Sequence, residues 1–228
     1  MAAKARDIIN SRHNFNWKES RYGSTRSTLF GKFYERILRG WLEEKRHSTL
    51  VRWQDSAVHK PRIYWRNVSV DGFDFSQQQG LKEQMAESLR QKASHCTPDG
   101  VFEKERRFYI WEAKNWPLYP EKGPRSQILT YLASNPWVLA RTFNFSGIQY
   151  KISGFWFSYW CNKEEDEIEI QEVEQIINSI IGSGRLEIIP TDRILGDCIT
   201  NQYPWYIEII EQERENVEQF FDQLLGRQ

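Results

Sequence analysis

Cysteine is scarce in this chain: Cys96, Cys161 and Cys198 stand far apart and are odd in number. That spacing excludes a disulfide framework and a Cys-x-x-Cys metal cluster, and it fits a reducing, intracellular compartment. Long apolar runs are missing too. No stretch of about 18 apolar residues offers a bilayer span, and the opening Met1-Ala2-Ala3-Lys4-Ala5-Arg6-Asp7 lacks the apolar centre of a secretory signal. Arg and Ser in the first thirty residues leave import into an organelle open. Repeats and low-complexity tracts are absent. Net charge is absent as well, with 31 Lys and Arg against 31 Asp and Glu, so an overall excess of one sign points to no partner. What is present is 39% hydrophobic and 14% aromatic residues over 228 positions. That suffices to bury one sizeable core, and it is too aromatic for a disordered chain.

The charges are neutral in sum but polarised along the chain. Residues 1 to 66 carry 15 Lys and Arg against 6 Asp and Glu, and residues 67 to 163 carry 12 against 9. Residues 164 to 228 carry 4 against 16. Such a chain can hold a basic face for phosphates, or simply a solvated basic segment beside a solvated acidic helix.

Residues 1 to 28 read as a basic arm or irregular segment, and 29 to 228 as a single domain that includes an acidic C-terminal helix. Phe30, Phe33, Tyr34, Ile37, Leu38, Trp41 and Leu42 recur at helical spacing and predict a helix to about Arg46, with Ser27 and Thr28 as caps. Thr49 to Phe75 reads as one or two short strands with turns, and 80 to 94 as a helix. Val101-Phe102 and Phe108 to Lys114 read as two strands of a hairpin turning around Lys104 to Arg106. Ser126 to Ser134 follows as a short helix. Ile148 to Trp160 is a strand with Gly154 a possible bulge, Glu172 to Ile181 a helix, Leu186 to Ile189 a strand and Trp205 to Leu225 a long helix. This order predicts an α/β fold with a central mixed sheet flanked by helices.

The chemistry concentrates in the hairpin. In Phe108-Tyr109-Ile110-Trp111-Glu112-Ala113-Lys114, strand geometry points Glu112 and Lys114 to one face, roughly 6 to 7 Å apart. An acid and an amine on an otherwise apolar strand cost stability unless paired or bound to a metal. Pairing Phe102 with about Phe108 brings Asp99 beside Trp111 or Glu112. Asp99, Glu112 and the main-chain carbonyl of Ala113 then form a cage for a hard cation such as Mg²⁺, for which Mn²⁺ substitutes, and Lys114 lies where it engages the attacking water and offsets phosphate charge. Each piece has a plainer reading. Pro98-Asp99-Gly100 alone is an ordinary turn, and Glu112 with Lys114 alone is an ordinary ion pair. Their joint occurrence favours the site.

Pro98-Asp99 followed by Glu112-Ala113-Lys114 resembles the core motif of the PD-(D/E)xK nuclease superfamily. The resemblance implies a restriction-endonuclease-like core and a Mg²⁺-dependent deoxyribonuclease that hydrolyses phosphodiester bonds. It also implies a further acid on the helix before the core, a place that Glu35 occupies. Gln127 and Tyr131, four residues apart and so on one helix face, are similar to the Gln-x-x-x-Tyr pattern of the RecB-like branch, where it contacts DNA or supports the site. Some of that branch carry an iron-sulfur cluster held by four cysteines; three isolated cysteines predict none here. The resemblance covers Glu35 to Tyr131.

Arg12, Lys18, Arg21, Arg26, Lys32, Arg36 and Arg39 are candidates for tracking DNA phosphates. His95 and Cys96 read more simply as structural. The competing functions are a sequence-specific restriction endonuclease acting as a homodimer, and a nuclease-fold binding protein without activity. The preferred strand form, any recognition sequence and activity on RNA are not written in the residues.

Overall fold

A computed structural model describes residues 23 to 51, 61 to 91, 95 to 114, 122 to 159 and 164 to 224. Two compact units divide the chain: one comprises Glu43–Asp192, the other the segments on either side of it.

The unit made of the two flanking segments is helical. Helix α1 (Gly23–Arg46) starts earlier than the apolar stripe predicts, so Ser27 and Thr28 lie within it rather than at its cap. Tyr34, Ile37, Leu38, Trp41 and Leu42 of that stripe are buried. Helix α5 (Thr191–Asn201) and helix α6 (Pro204–Leu224) complete the unit. A side chain at Gly40 would come within 2.6 Å of the Trp205 ring, so the close approach of α1 and α6 requires glycine there. Trp41 Nε1 donates to Asp197 Oδ2 at 3.0 Å, which satisfies a buried indole.

The Glu43–Asp192 unit is built on one mixed sheet. Its strands are β1 (Thr49–Leu50), β4 (Gly100–Lys104), β5 (Arg107–Lys114), β6 (Thr142–Phe145), β7 (Ile148–Tyr159) and β8 (Leu186–Pro190). The order is β1-β4-β5-β7-β6, with β8 also on β7. β1, β4 and β5 are antiparallel neighbours, whereas β5, β7 and β8 run parallel. A separate two-stranded piece pairs β2 (Ile63–Tyr64) with β3 (His95–Cys96). Helices α2 (Gln79–Gln91), α3 (Pro124–Ser134) and α4 (Glu164–Ile181) accompany the sheet. The fold is α/β with a mixed central sheet flanked by helices, consistent with a restriction-endonuclease-like core.

Alternation along the strands divides the apolar side chains. Val101, Ile110, Phe155 and Phe157 join Met85, Ile128, Leu132, Val173 and Ile177 in one core. On the other face Phe102 meets Trp111 edge-on at 5.9 Å, Trp156 lies 5.6 Å from Phe102, and Tyr109 stacks on Trp156 at 4.7 Å. Trp111 Nε1 donates to the fully buried Ser158 Oγ at 3.0 Å.

The hairpin register differs by one residue from expectation. Phe102 pairs with Tyr109 and Gly100 with Trp111, because the turn is only two residues long. Glu105 and Arg106 both take positive φ, 51° and 61°, as the tight primed turn demands. The bulge expected at Gly154 is present: Phe108 pairs with Ile152 and Tyr109 with Gly154, which leaves Ser153 extra. A Cβ at Gly154 would stand 3.0 Å from the Arg185 carbonyl and the Tyr109 ring.

Candidate active site

Two parallel strands and one helix assemble the site. β5 presents Glu112 and Lys114 on the face it shares with Ile110, and the register sets Glu112 beside Phe157 and Lys114 beside Tyr159 on β7. Helix α3 begins with Pro124 in its first turn, where a missing N–H costs nothing, and crosses above this end of the sheet. The Tyr131 ring stacks on Phe157 at 5.6 Å, with planes 4° apart. Since Phe157 neighbours Glu112, that stack carries the phenol to the carboxylate: Tyr131 donates its hydroxyl to Glu112 Oε1 at 2.6 Å.

Lys114 Nζ donates to the same oxygen at 2.5 Å and sits 5.1 Å from the centre of the Tyr131 ring. Glu112 Oε1 is thus gripped from two sides. Its Oε2 accepts no hydrogen bond among the described residues. Asp99 precedes β4, and its Oδ2 accepts the Ala113 N–H at 2.9 Å. One further step of the ladder beyond Gly100 and Trp111 places Asp99 next to Glu112, as the sequence anticipates.

Electrostatics agree with that crowding. Burial first, then the Asp99 charge, raises the Glu112 pKa above its ordinary range, while Lys114 and Tyr131 pull it back. Burial and the Glu112 carboxylate push the Tyr131 phenol far above its usual value, so it stays protonated and donates.

Gln127 is buried and bonds to neither Glu112 nor Lys114 in the contacts it makes with Lys122 and Tyr159. Its Nε2 donates to the Lys122 carbonyl at 2.6 Å, and its Oε1 accepts the Tyr159 hydroxyl at 2.8 Å. It braces the start of α3 against β7, with its amide engaged at both ends. Tyr159 escaped the sequence reading. The available signal was the row Phe155, Phe157, Tyr159, in which one hydroxyl ends an otherwise apolar strand face.

Glu35 lies on α1 in the helical unit, where Arg39 Nη2 donates to its Oε2 at 3.1 Å. Arg36 Nη2 donates to Gln212 Oε1 at 2.6 Å. Arg26 and Lys32 are on the same helix; Arg12, Lys18 and Arg21 lie outside the described residues. His95 is on β3 with its ring 5.7 Å from Tyr64, and Cys96 is half-buried against the core.

Among the described residues no group of three or more His, Cys, Asp or Glu gathers. Magnesium does not require one, because it takes one or two carboxylates and keeps several waters. A buried carboxylate with one oxygen free of hydrogen bonds, beside a second acid, fits that demand. No family model, no curated protein and no solved structure matches the chain. No described helix is long and apolar enough to cross a membrane.

Proposed function

We propose that the chain is a metal-dependent deoxyribonuclease of the PD-(D/E)xK type, hydrolysing DNA phosphodiester bonds with Asp99, Glu112 and Lys114 at its centre. The observation that carries this reading is the double grip, by Lys114 and by Tyr131, on Oε1 of Glu112, a buried carboxylate whose neighbour across the hairpin is Asp99. A structural ion pair needs neither the second acid nor the burial that raises the Glu112 pKa.

In this reading Asp99, Glu112 and the Ala113 carbonyl hold Mg²⁺, with Mn²⁺ as substitute. When bound, the ion supplies a more acidic water and a counter-charge for the leaving oxygen. Glu112 orients the pocket because two donors fix its carboxylate in one rotamer. Lys114 holds a cationic head against that carboxylate and offsets the charge growing on the phosphate. Tyr131 keeps its proton and acts as a strut. Gln127 and Tyr159 position α3 and leave the substrate untouched. DNA is the partner.

The test is cleavage of labelled DNA with Mg²⁺ or Mn²⁺. The parent protein should cut, a chelator should abolish cutting, and Glu112→Ala and Lys114→Ala should each lower the rate at least a hundredfold. Equal cleavage by parent and both variants would refute the reading. Discrete plasmid fragments would favour a sequence-specific homodimer; smears would favour the RecB-like form.

A further inference from the structure

Helix α3 stops at Asn135-Pro136, and the stop is tied to Tyr131. The Tyr131 carbonyl accepts the Asn135 backbone N–H at 2.8 Å and Asn135 Nδ2 at 3.2 Å, while the Asn135 carbonyl accepts the Trp137 backbone N–H at 2.8 Å. Pro136 has no N–H to continue the helix, so the chain leaves in a single 3-10 turn, Trp137–Leu139. Three hydrogen bonds thus fix where the Trp137 side chain starts relative to Tyr131.

Both rings then settle on Phe157. Tyr131 lies parallel to it at 5.6 Å, and Trp137 meets it edge-on at 6.0 Å while tilting against Phe155 at 5.5 Å. Trp137 is 3% exposed, and its Nε1, sealed from solvent, meets no acceptor in ordinary hydrogen-bond geometry among the described residues. A buried indole N–H usually has a partner, so this one calls for an explanation. The group it acts on is the Tyr131 hydroxyl. Burial, then the Glu112 carboxylate and the Asp99 charge, push that phenol up, and the Trp137 N–H pulls the other way. Having given its one proton to Glu112, the phenol oxygen keeps lone pairs for a donor. Indole is a donor only, so it denies the hydroxyl proton its own direction and leaves it the carboxylate.

We propose that Trp137 is a positioning residue of the site: its indole N–H, brought to the Tyr131 oxygen by the shared Phe157 platform, holds the hydroxyl on Glu112 Oε1. Trp137, Tyr131 and Glu112 then form a chain of donors that ends on the carboxylate and fixes its orientation. The proposal rests on the nuclease reading only for what that carboxylate does. In that reading Trp137 touches neither metal nor DNA, and it sets how firmly Glu112 is held for the cation.

The experiment compares the parent, Trp137→Phe, Tyr131→Phe and the double variant, each as the full chain, by urea unfolding in EDTA. Trp137→Phe keeps a ring on Phe157 and removes the N–H, so lost packing shows equally in both backgrounds and the donor chain shows as coupling. The unfolding constant should rise about fivefold more when Trp137→Phe is made in the parent than when it is made in Tyr131→Phe. The same proteins are then titrated with Mn²⁺. Trp137→Phe should weaken binding roughly three- to tenfold, less than the 10- to 100-fold typical of a group that touches the ligand, and should add nothing to Tyr131→Phe. A third measurement needs only Tyr131→Phe: of the ten indole N–H proton resonances, the one with Overhauser contacts to Phe155 and Phe157 should move upfield when the phenol oxygen is removed. Additive unfolding, an unmoved resonance, or Mn²⁺ bound by Trp137→Phe as tightly as by the parent overturns the proposal. Coupled unfolding in a chain that binds no Mn²⁺ and cuts no DNA refutes the nuclease alone; Mn²⁺ binding and cleavage with additive unfolding refute the donor chain alone.

Discussion

Tyr131 stands over Phe157 and donates its hydroxyl to the Glu112 carboxylate, joining α3 to the strand that bears the candidate metal ligands. The aromatic stack and the hydrogen bond are separable. Tyr131→Phe should keep the stack and remove only the donor, at a cost of about 1.5 to 3 kcal/mol if the full value of a charged hydrogen bond disappears. Removing a group that orients a metal ligand typically costs 10- to 100-fold. Cleavage rate against Mg²⁺ concentration should therefore show a drop of that size with the melting temperature only modestly lower. An unchanged metal dependence would mean that the phenol does not orient Glu112.

Glu112 should destabilise the metal-free protein. Its folded pKa is raised, so ionising it in the folded chain is harder than in the unfolded one. In EDTA, stability should fall as pH climbs from the ordinary glutamate value through the raised one, then level off. Glu112→Gln should lack that component and melt above the parent at pH 7 to 8. Glu174, also raised by burial, contributes the same sign in both proteins and cancels in the comparison. Thermal melts from pH 4 to 8 decide it, and parallel curves for the two proteins would contradict the account.

Gln127 and Tyr159 should act as a couple. Removing either leaves a buried polar group without its partner, so Gln127→Leu and Tyr159→Phe should each destabilise, and the double variant should cost less than their sum by roughly 0.5 to 3 kcal/mol. KM for DNA should stay near the parent value in Tyr159→Phe. Strict additivity in denaturant unfolding would show that the hydrogen bond contributes nothing.

Gly154→Ala tests the bulge. The added methyl would meet the Arg185 carbonyl and the Tyr109 ring at 3.0 Å, tighter than ordinary van der Waals separation. Overpacking of this kind costs about 1 to 3 kcal/mol, readable as a lower denaturation midpoint. A neutral result would mean that β7 and β8 separate freely there.

The elements that carry the candidate chemistry are legible in the sequence because their signals are local. Glu112 and Lys114 alternate on one strand, and Gln127 and Tyr131 are one helical turn apart, so periodicity alone places each pair on a face. The register is off by one residue because Glu105 and Arg106 occupy a turn that usually announces itself with Asn or Gly. β6, β2 and β3 are four, two and two residues long, too short to show a period, and they become strands only through their partners. In α5 the buried Ile194, Leu195 and Cys198 make a stripe of three, easily read as a loop.

The central claim is that Asp99 and Glu112 share a divalent cation. Titrating Mn²⁺ into the chelator-stripped protein, followed by the decline of free-ion electron paramagnetic resonance signal, measures it most directly. The account predicts one site in the parent and at least a tenfold weaker one in both Asp99→Asn and Glu112→Gln. Mn²⁺ bound equally by all three proteins would contradict it.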